Sequence, residues 1–147
     1  MNKIILIFGL SGSGKTSLAL ELAKQINATH LNADKVREYV NTDLDFSRGS
    51  RVEQAYRMGM LANRMVRLNN VVVDFICPTN NTRSAFQRGA KRQWDDFLTI
   101  WMNTENSSKY LDTDRIFEKP DKCTLIINTK DAIKWAKIIR VNMGNNG

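Results

Sequence analysis

The chain has 147 residues, enough for one domain with a sizeable core. With 42% hydrophobic and 25% charged residues it has a globular composition rather than a disordered one, and no apolar run reaches the length of a membrane span. The net charge of +7 suits an anionic partner such as a nucleotide, a sulfated nucleotide or DNA, although a solvated basic surface has the same signature.

Lys3 to Phe8 is a continuous aliphatic run closed by Gly9, the pattern of a strand buried on both faces of a parallel sheet. The N-terminus faintly resembles a secretion signal. It runs straight into a glycine-rich loop with no small-residue cleavage site, so it reads as a strand. A helix is expected over Lys15 to Asn27, with Leu18, Leu22 and Ile26 on one face. Ala28 to Asn32 is a short strand, and Asp34 to Val40 starts a second helix.

Ser50 to Leu68 is the longest predicted helix, with Val52, Ala55, Tyr56, Gly59, Ala62 and Val66 as its apolar stripe and Met58, Met60 and Met65 as packing residues. Val71 to Ile76 is a second buried strand after an Asn69-Asn70 turn. A helix over Asn80 to Arg92, a strand over Phe97 to Met102, a polar loop over Thr104 to Lys122 and a strand over Thr124 to Ile127 follow. Asp131 to Arg140 closes the chain as a helix with Ile133, Ala136 and Lys137 at helical spacing, and the tail from Asn142 is expected to fray. This alternation predicts a single α/β domain over residues 1–147, helices flanking a mostly parallel five-stranded sheet. Cys77 and Cys123 are too few and too far apart for a disulfide framework or a metal cluster, and they point to a reduced, cytoplasmic setting.

Gly9-Leu10-Ser11-Gly12-Ser13-Gly14-Lys15-Thr16 fits G-x-x-x-x-G-K-[ST] at every fixed position and lies between a predicted strand and a predicted helix. Gly9, Gly12 and Gly14 let the backbone turn tightly and aim its N–H groups at phosphate oxygens. Lys15 is expected on the β- and γ-phosphates of ATP, and the Thr16 hydroxyl on Mg²⁺. Gly9, Ser11, Gly12, Ser13, Gly14, Lys15, Thr16 and Ser17 form the expected nucleotide-binding stretch, with helix packing as the other reading of Ser17.

Asp34 follows the second strand, where a carboxylate would lie beside the phosphate loop. It is either a general base and Mg²⁺ neighbour or the N-cap of the helix after it. Asp74 ends an apolar run, Val71-Val72-Val73, in the manner of a Walker B strand, and is a candidate Mg²⁺ ligand; hydrogen bonding at the sheet edge is the alternative. His30, the only histidine, reads as a packing residue. Arg83, Arg88, Lys91 and Arg92, interleaved with Phe86 and Trp94, form either a nucleic-acid-tracking surface or a helix with one basic face and core aromatics.

The order of these motifs resembles the adenylylsulfate (APS) kinase family of P-loop kinases. That family opens with GLSGSGKTT and LDGDxxR; this chain has GLSGSGKTS and LNADKVR. The block DLGFSxxDRxENIRRxGE is similar to Asp43 through Gly59. FISP followed by an arginine resembles Phe75-Ile76-Cys77-Pro78 and Arg83, and YExP followed by a threonine resembles Phe117-Glu118-Lys119-Pro120 and Thr129. The resemblance implies the P-loop NTPase three-layer sandwich with strand order 2-3-1-4-5. It implies Asp34 as a catalytic-site residue with Lys15, and Arg37, Arg51, Arg57 and Arg83 as acceptor-side arginines. Arg51 and Arg57 would face the anion, and Phe46 would stack on the acceptor's adenine.

The chain also departs from that pattern. Asn32 replaces the first aspartate of DGD. Gln54, Ala55 and Tyr56 replace the asparagine, isoleucine and first arginine of ENIRR, and Asp74 stands where the pattern is usually apolar. The RDPKGLY lid and FTGI segment are missing. The expected activity is ATP- and Mg²⁺-dependent transfer to a hydroxyl of a small nucleotide acceptor, APS or a close relative. A hydroxyl carried by nucleic acid, and a non-catalytic nucleotide-binding module, stay open as alternatives. No membrane partner is expected, and the sequence leaves the oligomeric state open.

Overall fold

The structure, a computed structural model, describes residues 1–104 and 116–145. Five strands, β1 (Ile4–Phe8), β2 (Thr29–Asn32), β3 (Val71–Phe75), β4 (Leu98–Met102) and β5 (Leu125–Ile127), form one sheet in the order β2-β3-β1-β4-β5. Every neighbouring pair is parallel, with Ile4 opposite Val71 and Ile5 opposite Leu98. The expected order and direction are both found.

Side chains alternate across a strand, so β1 feeds two cores. Ile5 and Ile7 pack with Leu18 and Leu22 of α1 (Lys15–Ile26) and with Ala136 and Ile139 of α5 (Ala132–Asn145). Ile4, Leu6 and Phe8 pack on the other face with Val36 of α2 (Ala33–Tyr39), Met58 and Ala62 of α3 (Arg48–Met65) and Phe86 of α4 (Asn80–Ala90). All five residues of β1 and of β3 are buried, which explains their unbroken apolar runs.

Helices α3 and α4 touch backbone to backbone. A Cβ on Gly59 would lie 2.2 Å from the Phe86 carbonyl, and one on Gly89 would lie 2.1 Å from the Tyr56 carbonyl. Only glycine permits that approach.

Several boundaries differ from expectation. Helix α3 starts two residues early because the Ser47 side chain accepts the Ser50 N–H and caps it. Its buried stripe includes Met58 and Gln54, whereas Tyr56 and Met60 are exposed. Helix α4 stops at Ala90 because Lys91 turns left-handed, at φ 55°. A 3₁₀ turn, Trp94–Asp96, leads into β4. Helix α5 runs on to Asn145, through the expected tail. It buries Ala136 and Ile139 and leaves Ile133 and Lys137 exposed, so the expected stripe was rotated off the true core face. Most of the polar loop expected between β4 and β5, residues 105–115, lies outside the described residues.

Candidate active site

The C-terminal ends of the parallel strands share one edge, where open α/β sheets bind ligands. Gly9 leaves β1 at φ 156°, and a Cβ there would meet the Met102 carbonyl at 2.8 Å and Ser13 Oγ at 2.9 Å. Gly14 caps α1 at φ 96° with no side-chain cap, so the first N–H groups of the helix are left to bond an anion. Ser13 N–H donates to Leu10 O at 3.1 Å, and the Thr104 hydroxyl braces the loop by donating to Ser13 O at 2.6 Å. Ser13 Oγ is buried and among the described residues has no hydrogen-bond partner.

Lys15 reaches Leu10 O at a loose 3.4 Å. Burial lowers its pKa, and the charges of Asp74 and Asp34 partly restore it. Thr16 and Ser17 are exposed at the start of α1. Ser17 therefore borders a cleft and does not pack the helix core.

Asp74 is 1% exposed at the end of β3. Its Oδ1 accepts from Thr16 Oγ1 at 2.9 Å and from Asn32 Nδ2 at 2.8 Å, and its Oδ2 meets His30 Nε2. The β2–β3 register puts Asn32 directly opposite Asp74. Asn32 also caps α2, its Oδ1 accepting Lys35 N–H at 3.0 Å. The cap expected of Asp34 thus belongs to Asn32, and Asp34 is exposed in the first turn of α2.

Among the described residues no three His, Cys, Asp or Glu side chains gather to hold a metal alone. Thr16 and Asp74 offer two converging oxygens. That donor set fits Mg²⁺, which takes few protein ligands and completes its shell with phosphate oxygens and water.

A cleft of roughly 490 Å³, open to solvent, lies between α2, α3 and the end of β3 and is lined by Asp34, Arg37, Phe46, Arg51, Phe75 and Pro78. Arg37 places its guanidinium 4.5 Å from the Phe46 ring centroid and donates to Asp45 O at 2.5 Å. The loop carrying Phe46 is held from below. Buried Asn41 donates to Gln54 Oε1 at 2.7 Å, and Gln54 donates to Ala33 O at 3.2 Å. Asp34, Arg37, Phe46 and Arg51 are therefore brought together as expected.

Arg57 and Arg83 are not. Arg57 makes a two-pronged pair with Asp43 at 2.9 and 3.1 Å and bonds Glu53 at 2.9 Å, so it ties the Phe46 loop to α3 outside the cleft. Arg83 is 2% exposed and donates to the Cys77, Pro78 and Glu118 carbonyls at 3.1, 3.2 and 2.6 Å. It lies between the Phe8 and Phe117 rings and staples the wall of the site. Its neighbour Cys77 is buried, which pushes its thiol pKa up to about 12 and makes it inert.

The basic stretch takes the core-aromatic form. Phe86 is buried and Trp94 packs edge-on against Phe97 at 5.4 Å. Arg88 lies in the last turn of α4, beyond which come Lys91 and Arg92. The site meets the other end of that helix.

Sequence reading missed a second, solvent-open cleft beside the phosphate loop, of about 350 Å³ with the open solvent space included. Gly14, Ser17, Met102, Lys130, Asp131 and Trp135 line it. Asp131 caps the start of α5 by accepting Lys134 N–H at 3.1 Å, and Trp135 Nε1 donates to Thr129 Oγ1 at 2.9 Å. The available signal was position: Thr129 to Asp131 follow β5 at the ligand-binding edge.

The sequence profile of the adenylylsulphate kinase family matches residues 1–128. The chain belongs to the adenylylsulphate kinase family. It is 33% identical over 101 residues to an adenylyl-sulfate kinase of Synechococcus, covering 65% of this chain and 55% of that protein. It is 32% identical over 110 residues to one of Bacillus licheniformis, covering 71% and 55%. The chain thus spans about half the length of these curated relatives. Among solved structures, an APS kinase of Mycobacterium tuberculosis in complex with AMPPNP and APS superposes with a TM-score of 0.82, covering 97% of this chain and 98% of that one at 21% identity. A sugar kinase of Janibacter superposes at 0.74 with 11% identity, so the fold is shared more widely than the acceptor. Asn32, which departs from the family's DGD pattern, lies directly opposite the buried Asp74.

Proposed function

We propose that the chain is an ATP-dependent kinase that phosphorylates a hydroxyl of a nucleotide acceptor, adenylylsulfate. The observation that carries this reading is the place of Asp34. It lines the cleft beside Phe46 and Arg51, and its charge acts on Lys15 of the phosphate loop. One carboxylate therefore joins the acceptor side to the donor side.

In this mechanism Asp34 accepts the proton of the acceptor hydroxyl as its oxygen attacks the γ-phosphorus in line. The bond from that phosphorus to the β–γ bridging oxygen breaks, and ADP leaves. Lys15 and the loop N–H groups stabilise the charge on the transferring group. Thr16 and Asp74 would hold Mg²⁺, which would supply positive charge to the phosphates of ATP. Phe46, backed by Arg37, offers a face for the acceptor's base, and Arg51 offers charge to its anionic group. Trp135 and Lys130 suit the nucleoside of ATP.

A small acceptor is favoured over nucleic acid because Arg88, Lys91 and Arg92 lie at the far end of α4, about 15 Å of helix from the site. The free thiols Cys77 and Cys123 support a reducing, cytoplasmic setting. No helix among the described residues is long and apolar enough to cross a membrane. The test is a radiolabelled-ATP screen against APS, nucleosides, and plain and hydroxymethylated DNA. Label is expected on APS; label on DNA alone would refute the acceptor.

A further inference from the structure

Asp74 is the most deeply buried carboxylate at the ligand edge, and each of its oxygens has a partner. Thr16 and Asn32 both donate to Oδ1. Among the described residues, His30 alone faces Oδ2. An ionised carboxylate can only accept, so His30 donates through Nε2–H. The sheet makes this pairing. His30 and Asn32 are two residues apart on β2 and share a face, and their register partners are Val72 and Asp74 on β3. His30 thus reaches diagonally past its own partner, Val72, to Asp74, the partner of Asn32.

The carboxylate torsion is soft and roughly two-fold. Donors on Oδ1 alone would let the group turn about its axis and exchange the oxygen offered to Thr16. A donor on Oδ2 fixes the plane. The ring of His30 is only 18% exposed, so the contact is shielded from competing water.

We propose that His30 is a positioning residue, holding Asp74 Oδ2 so that Oδ1 stays aimed at Thr16 and the cation site of the phosphate loop. The proposal rests on the reading that Thr16 and Asp74 hold Mg²⁺. It assigns His30 a role that its packing alone would not require. It also ties the lone histidine to the Asn32–Asp74 pair already joined across β2 and β3.

The two roles separate by substitution. His30→Phe keeps the packed ring and removes the donor; His30→Gln loses the ring but can place an amide N–H near the position of Nε2. ATP binding is measured by titration calorimetry on the full chain at a series of Mg²⁺ concentrations. His30→Phe is expected to raise the Mg²⁺ concentration needed for half-maximal tightening on the order of 10-fold, the scale of lost outer-sphere support, while His30→Gln stays within about 2-fold of wild type. In an Asp74→Asn background the two variants are expected to behave alike. If His30→Phe fails to fold, His30→Ala carries the same expectation. A folded donor-less variant with the wild-type Mg²⁺ requirement would overturn the proposal, as would His30→Gln failing as badly as His30→Phe. ATP binding that ignores Mg²⁺ in the wild type would instead remove the metal reading beneath it.

Discussion

Asn32 and Asp74 face each other at the ends of β2 and β3, and the Asn32 amide bridges them: its Nδ2 donates to Asp74 Oδ1 at 2.8 Å while its Oδ1 accepts Lys35 N–H at 3.0 Å. One side chain caps a helix and satisfies a buried carboxylate. A second carboxylate at position 32 would have no proton to give Asp74 and would repel it.

Asn32→Asp is therefore expected to destabilise the protein by about 1–3 kcal/mol, the scale of a buried acceptor stripped of its donor. The helix cap survives, since Asp caps about as well as Asn. Asn32→Asp combined with Asp74→Val should recover most of the loss, because the charge is then restored to β2 alone. Urea unfolding of the two single variants and the double measures the coupling. Additive losses would show that the two positions are independent.

Asp34 separates catalysis from stability. With Asn32 as the cap, Asp34→Asn should leave the unfolding midpoint in place while lowering kcat about 10²- to 10⁴-fold. A drop in stability with turnover intact would mean that Asp34 serves the helix instead.

Two arginines with similar sequence signatures should behave oppositely. Arg83→Met strips three carbonyls of a buried donor and is expected to cost about 3 kcal/mol, read by urea unfolding. Arg51→Ala should change stability little and raise the KM for the acceptor, since Arg51 lines the cleft. Steady-state kinetics and denaturation on the same pair decide the assignment.

The contrast shows what sequence could and could not carry. The alternating elements and the phosphate loop were legible from local spacing, while the strand order and the grouping of Asp34 with Phe46 and Arg51 came from the family resemblance. The fates of Arg57 and Arg83 were not legible. An arginine in a motif looks alike whether it meets a ligand or a carbonyl, and Arg83 meets Glu118, 35 residues away. The Asn32–Asp74 contact was equally hidden, since it is visible only once the register puts residues 42 apart in contact. Ile133 misled because α5 buries the face of Ala136 and Ile139.

Gly59 and Gly89 set the α3–α4 distance. Gly59→Ala or Gly89→Ala would force helix backbones apart, since neither the Phe86 nor the Tyr56 carbonyl can yield as a side chain would. Each should cost about 3 kcal/mol or more, at the upper end of overpacking. Thermal unfolding measures it, and a wild-type midpoint would show that the helices slide freely.

The Phe46 loop carries its own acid sensitivity. Hydrogen bonds from the Ser47 side chain and backbone, and then from Ser50, lower the Asp45 pKa from 3.8 to about 2. Arg57 likewise pulls Asp43 down. A lowered folded-state pKa contributes stability that is present above the ordinary carboxylate pKa and lost as pH falls through about 2. An NMR titration following the Ser47 amide should show a midpoint near 2 that moves back toward 3.8 in Ser47→Ala. A wild-type midpoint already at the ordinary value would show that the Asp45–Ser47 turn is not held in solution.

In the proposed reaction one carboxylate, Asp34, links the phosphate loop to the acceptor cleft. The most direct measurement is turnover of the purified chain with γ-labelled ATP, Mg²⁺ and APS, with ³¹P NMR of the product and Lys15→Ala as control. The expected result is a new phosphate ester on the APS sugar in the wild type and none with Lys15→Ala. Label that appears on hydroxymethylated DNA while APS returns unchanged would contradict the account, as would equal turnover in Lys15→Ala.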